Sequence, residues 1–137
     1  VTRETLCTIG KAMITLYPPV GKGDMNEQGL TVLATAEDFD ILITGDMKDN
    51  TERALIEKYP LPDVEVLLVG HHGSKYSSHE DFLAAVRPEV GIISVGDNSY
   101  GHPTAEAIGR LEAVGAVVRR TDEEGDITIY GGDEDGR

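Results

Sequence analysis

The feature that most constrains the fold is an apolar run, Val64 to Val69, which ends in Gly70-His71-His72-Gly73. Every position of the run except Glu65 is apolar, as is typical of a buried strand. Glycines on both sides of the two histidines let other atoms approach the imidazole rings closely. A buried strand that leads into paired histidines predicts a metal or phosphate site.

Two further apolar runs are built in the same way. Residues 41–44 lead into Gly45-Asp46, and residues 90–95 lead through a polar loop into His102. In open α/β sheets, ligands bind beyond the carboxyl ends of the strands. We therefore predict that Asp46, the histidine pair and His102 lie at one sheet edge. Each has a simpler alternative when taken alone, since an aspartate after a strand commonly caps a turn and a single histidine is commonly structural.

The coarse order of elements is strand, hairpin, helix, strand, helix, strand, helix, strand, strand, which predicts a sheet covered by helices. The predicted strands are residues 11–17, 30–36, 40–44, 64–69, 90–95, 116–120 and 127–130. The predicted helix starts are Asn50 or Thr51, a capping box of Ser77 and Ser78 with Glu80 and Asp81, and Pro103-Thr104.

Length and charge limit the possible functions. A chain of 137 residues suits one domain, which we place at residues 1–131, followed by a polar tail at 132–137. Its net charge of -13 argues against binding nucleic acid by phosphate neutralisation alone, so a phosphodiester substrate would require bound cations. We find neither a leader resembling a signal peptide nor an apolar run long enough to cross a membrane.

A carboxylate together with imidazoles suits Zn²⁺ or Mn²⁺, and Asp46 is suited to bridge two ions. Adjacent histidines on an extended backbone point in opposite directions, so we expect one of His71 and His72 to be a ligand and the other either to support a ligand or to contact the substrate. Ser74 and Lys75 are candidates for holding an anionic substrate. His102 is suited either to protonate a leaving oxygen or simply to cap its loop. A dinuclear site needs about five to seven ligands, so the chain looks half built.

Several motifs in this order resemble the metallo-β-lactamase-fold domain of ComEC-type competence proteins. The motifs are Leu42-Ile43-Thr44-Gly45-Asp46, Val69-Gly70-His71-His72-Gly73-Ser74, Ile93-Ser94-Val95-Gly96, Tyr100-Gly101-His102-Pro103 and Arg120-Thr121-Asp122. The resemblance implies an α/β fold, the αββα sandwich, of which this chain resembles about the carboxyl-terminal half. The His-x-His-x-Asp-His signature of the first half does not occur in the chain.

By this resemblance, Asp46 matches the bridging carboxylate and His72 matches the last metal ligand. His71 and His102 match positions near the substrate, where they would take part in catalysis. Asn26 lies where the fold often has another histidine, and is a candidate substrate contact. The serine that usually precedes the apolar run is Gly29 here.

The implied activity is metal-dependent cleavage of a DNA strand during DNA uptake, with two Zn²⁺ or Mn²⁺ ions in the intact domain. The parent would be a membrane channel carrying this domain on the extracytoplasmic face of the cell membrane. The alternative is a degenerate hydrolase fold that binds DNA or a partner without catalysis. We expect the chain alone to be inactive, to hold metal weakly or not at all, and to self-associate through an uncovered apolar sheet face.

Overall fold

A computed structural model describes residues 1–131, and the predicted polar tail at 132–137 lies outside the described residues. Seven strands form one sheet, in which spatial order follows chain order. The strands are β1 (Thr5–Ile9), β2 (Ala12–Tyr17), β3 (Thr31–Ala36), β4 (Phe39–Ile43), β5 (Val66–Leu68), β6 (Val90–Ile93) and β7 (Val117–Arg120). The helices are α1 (Asp49–Lys58), α2 (Glu80–Val86), α3 (Ala105–Ala113) and the single turn α4 (Thr121–Glu124).

The sheet is half antiparallel and half parallel. Strands β1 to β4 form an antiparallel meander, whereas β4 to β7 are parallel and are joined by α1, α2 and α3. Right-handed crossovers between successive neighbours place all three helices on the same face. Leu55 of α1, Phe82 of α2 and Leu111 of α3 are fully buried there, in one core with Leu42 and Leu67 of the sheet.

The opposite face of the sheet is apolar and only partly covered. Ile41 and Ile43 of β4 share this face with Leu68 of β5 and Ile92 of β6, and all four side chains are half-buried. Residues 1–131 therefore supply one β layer and one α layer, which is half of a four-layer αββα sandwich. Among these residues, no helix has the length and apolarity that a membrane crossing requires.

The predicted strand at residues 127–130 is wrong, because the structure has no strand there. The acidic segment before it forms the single turn α4 instead of a hairpin turn. Acidic side chains favour the first turn of a helix, and Glu124 also pairs with Arg119 of β7. Gly125 then reverses the chain at φ +73°. Strand β1, which the sequence analysis left out, adds an exposed edge beside β2.

Helix α1 begins earlier than predicted. Its N-cap is Lys48, while Asn50 and Thr51 lie in the first turn. The Thr51 hydroxyl accepts the Lys48 N–H at 3.0 Å, so threonine satisfies the cap from inside the helix.

Helix α2 does not use the predicted capping box, and its N-cap is His79. The Ser77 hydroxyl donates instead to the Gly70 and Ser74 carbonyls, at 2.8 and 3.0 Å. The Ser78 N–H donates to a carboxylate on another helix. The two serines predicted to cap α2 are therefore bonded elsewhere, Ser77 within the preceding turn and Ser78 to α1.

Candidate metal centre

Three parallel strands deliver polar residues to one edge of the sheet, as the sequence predicts. Asp46 follows β4, the histidine pair follows β5, and His102 ends the long loop after β6. Asp46, His71, His72 and His102 line one cavity of about 270 Å³, and Tyr100 completes its wall. The topology therefore brings together all four residues for which metal-binding or catalytic roles were predicted.

The histidine pair does not have the extended backbone expected from the sequence. His71 and His72 are both left-handed, with φ of 51° and 54°, inside a tight turn at Gly70–Gly73. The His71 N–H donates to the Gly45 carbonyl at 2.9 Å, and the Ser74 N–H closes the turn on the His71 carbonyl at 3.0 Å. Left-handed backbone at consecutive non-glycine residues is strained, and such strain concentrates at functional sites.

His72 has a defined tautomer because of its hydrogen bond. Its Nδ1 lies 2.7 Å from the Ser94 carbonyl oxygen, which can only accept, so Nδ1 carries the proton. In the neutral ring, Nε2 then presents a lone pair, and it lies 3.8 Å from Oδ1 of Asp46. Two electron-rich atoms facing each other suit a cation between them. Bonds of about 2.0–2.2 Å from one metal ion to each atom can span this distance.

His71 and His102 face each other across the same cavity, with ring centroids 5.7 Å apart and nearly perpendicular planes. His71 Nδ1 is buried and has no hydrogen-bond partner among the described residues. Desolvation lowers the pKa of His102, and the charges of His71 and His72 lower it further. A general acid at neutral pH needs the opposite shift, so the proton-donating role of His102 remains a prediction.

Gly73 joins the turn at Gly70–Gly73, called the histidine turn below, to the loop after β6 that carries His102. Its φ is +77°, and a Cβ at this position would lie 2.7 Å from Cβ of Pro103. Its carbonyl accepts both the N–H and the hydroxyl of Thr104, the N-cap of α3, at 2.9 and 3.1 Å. Only glycine permits this close approach, which holds His102 next to the histidine pair.

Arg110 of α3 braces the segment that follows the histidine turn. Its guanidinium donates to three backbone carbonyls, those of Lys75, Ser77 and Ser78, at 2.8 to 2.9 Å. Three charge-assisted bonds from one rigid group fix this segment against α3.

Glu52 of α1 braces the same segment from the other side. It is fully buried, and its carboxylate accepts the N–H groups of Ser78 at 2.6 Å and His79 at 2.9 Å. Burial raises the pKa of Glu52 to about 7, although the two N–H donors and Arg110 oppose the shift. Glu52 was not among the residues predicted from the sequence. The available signal was its position three residues before buried Leu55, on the apolar face of α1.

The predicted substrate contacts Ser74 and Lys75 do not line the cavity. Ser74 is 2% exposed, and its hydroxyl accepts the Tyr76 N–H at 3.3 Å. Lys75 is exposed, with its ammonium 5.1 Å from the centre of the Tyr76 ring. Ser74 is thus closed to a substrate, whereas Lys75 is open to solvent.

Asn26 lies in an exposed turn held by Asp24, whose carboxylate accepts the N–H groups of Asn26 and Glu27 at 2.9 Å each. The bond from Glu27 is the main reason that the pKa of Asp24 is below its usual value. Glu27 also forms an ion pair with Lys48, two residues after Asp46. The turn is thus tied to the site, but Asn26 itself does not line the cavity.

Asp46 and His72 supply only part of a metal shell. Within residues 1–131, no three His, Cys, Asp or Glu side chains are close enough together to hold an ion. Asp46 and His72 fit a metal ion as two of its ligands, and their metal-binding role stays a prediction.

Three curated proteins are similar in sequence. ComE operon protein 3 of Bacillus subtilis (strain 168) is 38% identical over 87 residues, which is 63% of this chain and 11% of the relative. Competence protein ComA of Neisseria gonorrhoeae is 38% identical over 104 residues, 74% of this chain and 15% of the relative. Recombination protein 2 of Haemophilus influenzae is 30% identical over 136 residues, 92% of this chain and 17% of the relative.

The chain thus matches only 11% to 17% of the length of these relatives. No family model matches the sequence. Among solved structures, a CmlA β-hydroxylase mutant superposes with a TM-score of 0.55 at 12% identity, over 86% of this chain and 31% of the other. At this identity the likeness concerns the fold alone, which is the metallo-β-lactamase fold. Sequence relatives and fold together place the chain in the ComEC-type family of competence proteins, as a metallo-β-lactamase-fold domain.

Proposed function

We propose that this chain is the carboxyl-terminal half of a metal-dependent nuclease domain within a longer DNA-uptake protein. The observation that carries the proposal is the lone pair on Nε2 of His72, which faces the Asp46 carboxylate at 3.8 Å. The names of the relatives, which refer to competence and recombination, support a role with DNA.

Asp46 and His72 would hold Zn²⁺ or Mn²⁺, with the remaining ligands supplied by residues outside this chain. In the intact domain we expect two ions, which would activate water and neutralise charge on the phosphodiester. The Ser94 carbonyl keeps the His72 ring in the tautomer that leaves Nε2 free to bind.

The remaining residues of the cavity would act on the substrate. His71 lines the cavity and would contact a phosphate oxygen of the bound strand. His102 would donate a proton to the leaving oxygen, because a neighbouring phosphate anion opposes the desolvation that lowers its pKa. Lys75 and Asn26, which are both exposed, would contact the strand farther from the reacting phosphate.

The charge of the chain explains why metal is central to this proposal. At a net charge of -13, the surface repels phosphates, so bound cations would supply the attraction for the phosphates of the strand. The partners we propose are DNA and the membrane-channel portion of the same polypeptide, with this domain on the extracytoplasmic face of the cell membrane.

The test is cleavage of a single-stranded oligonucleotide by the longer protein in Mn²⁺ or Zn²⁺. We expect Asp46→Ala to lower the rate at least about 100-fold. The control is Asp38→Ala, an exposed aspartate in the β3–β4 turn at the far end of the strand, and it should cleave normally. Equal rates for Asp46→Ala and wild type would contradict the proposal. Binding of the oligonucleotide without cleavage in either metal would favour the non-catalytic alternative.

A further inference from the structure

The loop after β6 is braced by one side chain, Asn98. Its amide nitrogen donates to the carbonyls of Gly96 and His102, at 2.9 and 2.8 Å. Its amide oxygen accepts the N–H groups of Tyr100 and His102, at 3.0 Å each. All four hydrogen-bonding positions of the amide are thereby used within the loop. The backbone at Tyr100 and His102 is therefore held in place before any ligand binds.

Tyr100 is an aromatic ring presented to solvent at the mouth of the site. It is 82% exposed, and its centroid lies 5.9 Å from that of His102, with the two planes inclined by 31°. Tyr100, His72 and His102 belong both to the wall of the 270 Å³ cavity and to that of an adjoining cavity of about 210 Å³. The ring thus stands where the candidate metal centre opens into a second recess.

The chemistry of the second recess selects an uncharged group. Among residues 1–131, the ionisable side chains in its wall are the two imidazoles, Asp97 and the phenol of Tyr100, and no lysine or arginine of this part of the chain contributes. A carboxylate disfavours a phosphate at this place, whereas an aromatic ring offers a stacking surface. Because the Asn98 amide is already saturated, it cannot read the hydrogen-bonding edge of a base.

From this arrangement we propose that Tyr100 is a stacking platform for the nucleobase next to the phosphate at the metal centre, and that it accepts any base. This inference rests on the proposed nucleolytic function and adds how the strand is held. Stacking supplies affinity that an acidic surface cannot obtain from phosphate contacts, and every base has a face to stack.

The test is an NMR titration of the 137-residue chain, with metal chelated, against a thymidine tetranucleotide and an abasic tetranucleotide of equal charge. We expect ring-current shifts of the Tyr100 ring protons with the base-containing ligand and not with the abasic one. Tyr130 is 83% exposed and serves as the matched reference ring, which should not shift. Tyr100→Ala should weaken binding about 10-fold, whereas Tyr100→Phe and Tyr130→Ala should retain it.

Equal binding of the two tetranucleotides, equal shifts at Tyr130, or no shift at Tyr100 up to millimolar ligand would overturn the inference. An adenosine tetranucleotide that binds more than 10-fold tighter than the thymidine one would overturn the claim that any base is accepted. Because no metal or hydrolysis enters this assay, its outcome is independent of whether Asp46 supports cleavage.

Discussion

Replacing Glu52 by glutamine should change how stability depends on pH. The side chain is fully buried between α1 and the segment after the histidine turn, where it accepts the N–H groups of Ser78 and His79. Burial raises its pKa from the ordinary 4.5 to about 7. Glutamine has a similar shape and cannot ionise, so the difference between the two proteins isolates this titration.

Proton linkage gives the sign and the size of this change in the free energy of unfolding with pH. Between pH 4.5 and 7 the folded state holds a proton on Glu52 that the unfolded state releases. The stability gained from the proton on Glu52 is therefore complete below pH 4.5 and is lost as pH rises through about 7. A shift from 4.5 to about 7, at 1.36 kcal/mol per pH unit, corresponds to about 3 kcal/mol.

The assay is urea unfolding of wild type and Glu52→Gln from pH 4 to 8, followed by circular dichroism. The free energy of unfolding of wild type, minus that of the variant, should fall by about 3 kcal/mol as pH rises over this range. Glu57→Gln on the exposed face of α1 controls for the loss of one negative charge. A difference that stays constant within about 0.5 kcal/mol, or that increases with pH, would refute the reasoning.

Four further variants test the close approach at Gly73, the contacts of Arg110 and the open face of the sheet. Gly73→Ala should lower the free energy of unfolding by about 2 kcal/mol or more, because a Cβ at φ +77° meets Pro103. Gly109→Ala, in open space on α3, should raise the free energy of unfolding by about 0.5–1 kcal/mol. Denaturant titration measures both, and equal effects of the two substitutions would exclude the clash at Gly73. Arg110→Ala should destabilise by about 2 kcal/mol through three lost carbonyl bonds, and unchanged denaturant midpoints would show that the brace contributes nothing. Ile92→Lys places a charge on the open face of the sheet and should reduce self-association of the 137-residue chain, as measured by light scattering. A wild-type chain that is monomeric at high concentration would contradict the expected self-association.

The fold could be predicted from the sequence where periodicity and topology act together. Apolar runs that end in polar residues gave the parallel strands β4 to β6 and the sheet edge at which Asp46 and His102 meet. Parallel strands place their carboxyl ends at one edge regardless of the details of loops. The family resemblance rested on the same motifs and was confirmed by the relatives.

The local geometry of the site could not be predicted in the same way. The turn at His71 and His72 is left-handed because the Gly45 carbonyl and a close approach at Gly73 hold it, and both contacts are long-range. The braces formed by Glu52 and Arg110 are missed for the same reason. Charged helix residues are usually solvated, and only the assembled fold shows that these two bind backbone of the site segment.

The absence of the predicted strand at residues 127–130 has a similar cause. Alternating isoleucines predicted a strand, but the acidic turn before it pairs with arginines of β7 and redirects the chain. Gly125, at φ +73°, turns the chain after α4, and residues 127–130 then pair with no strand among the described residues.

The central claim, that Asp46 and His72 are metal ligands, is tested most directly by metal titration of the longer protein with Mn²⁺ and Zn²⁺. Calorimetry should show at least about 10-fold weaker binding for Asp46→Ala and for His72→Ala. His79→Ala, at the N-cap of α2, is the matched control and should bind as wild type does. The 137-residue chain alone should bind either ion weakly or not at all. Wild-type affinity in both ligand variants, or tight binding of two ions by the isolated chain as a monomer, would contradict the account.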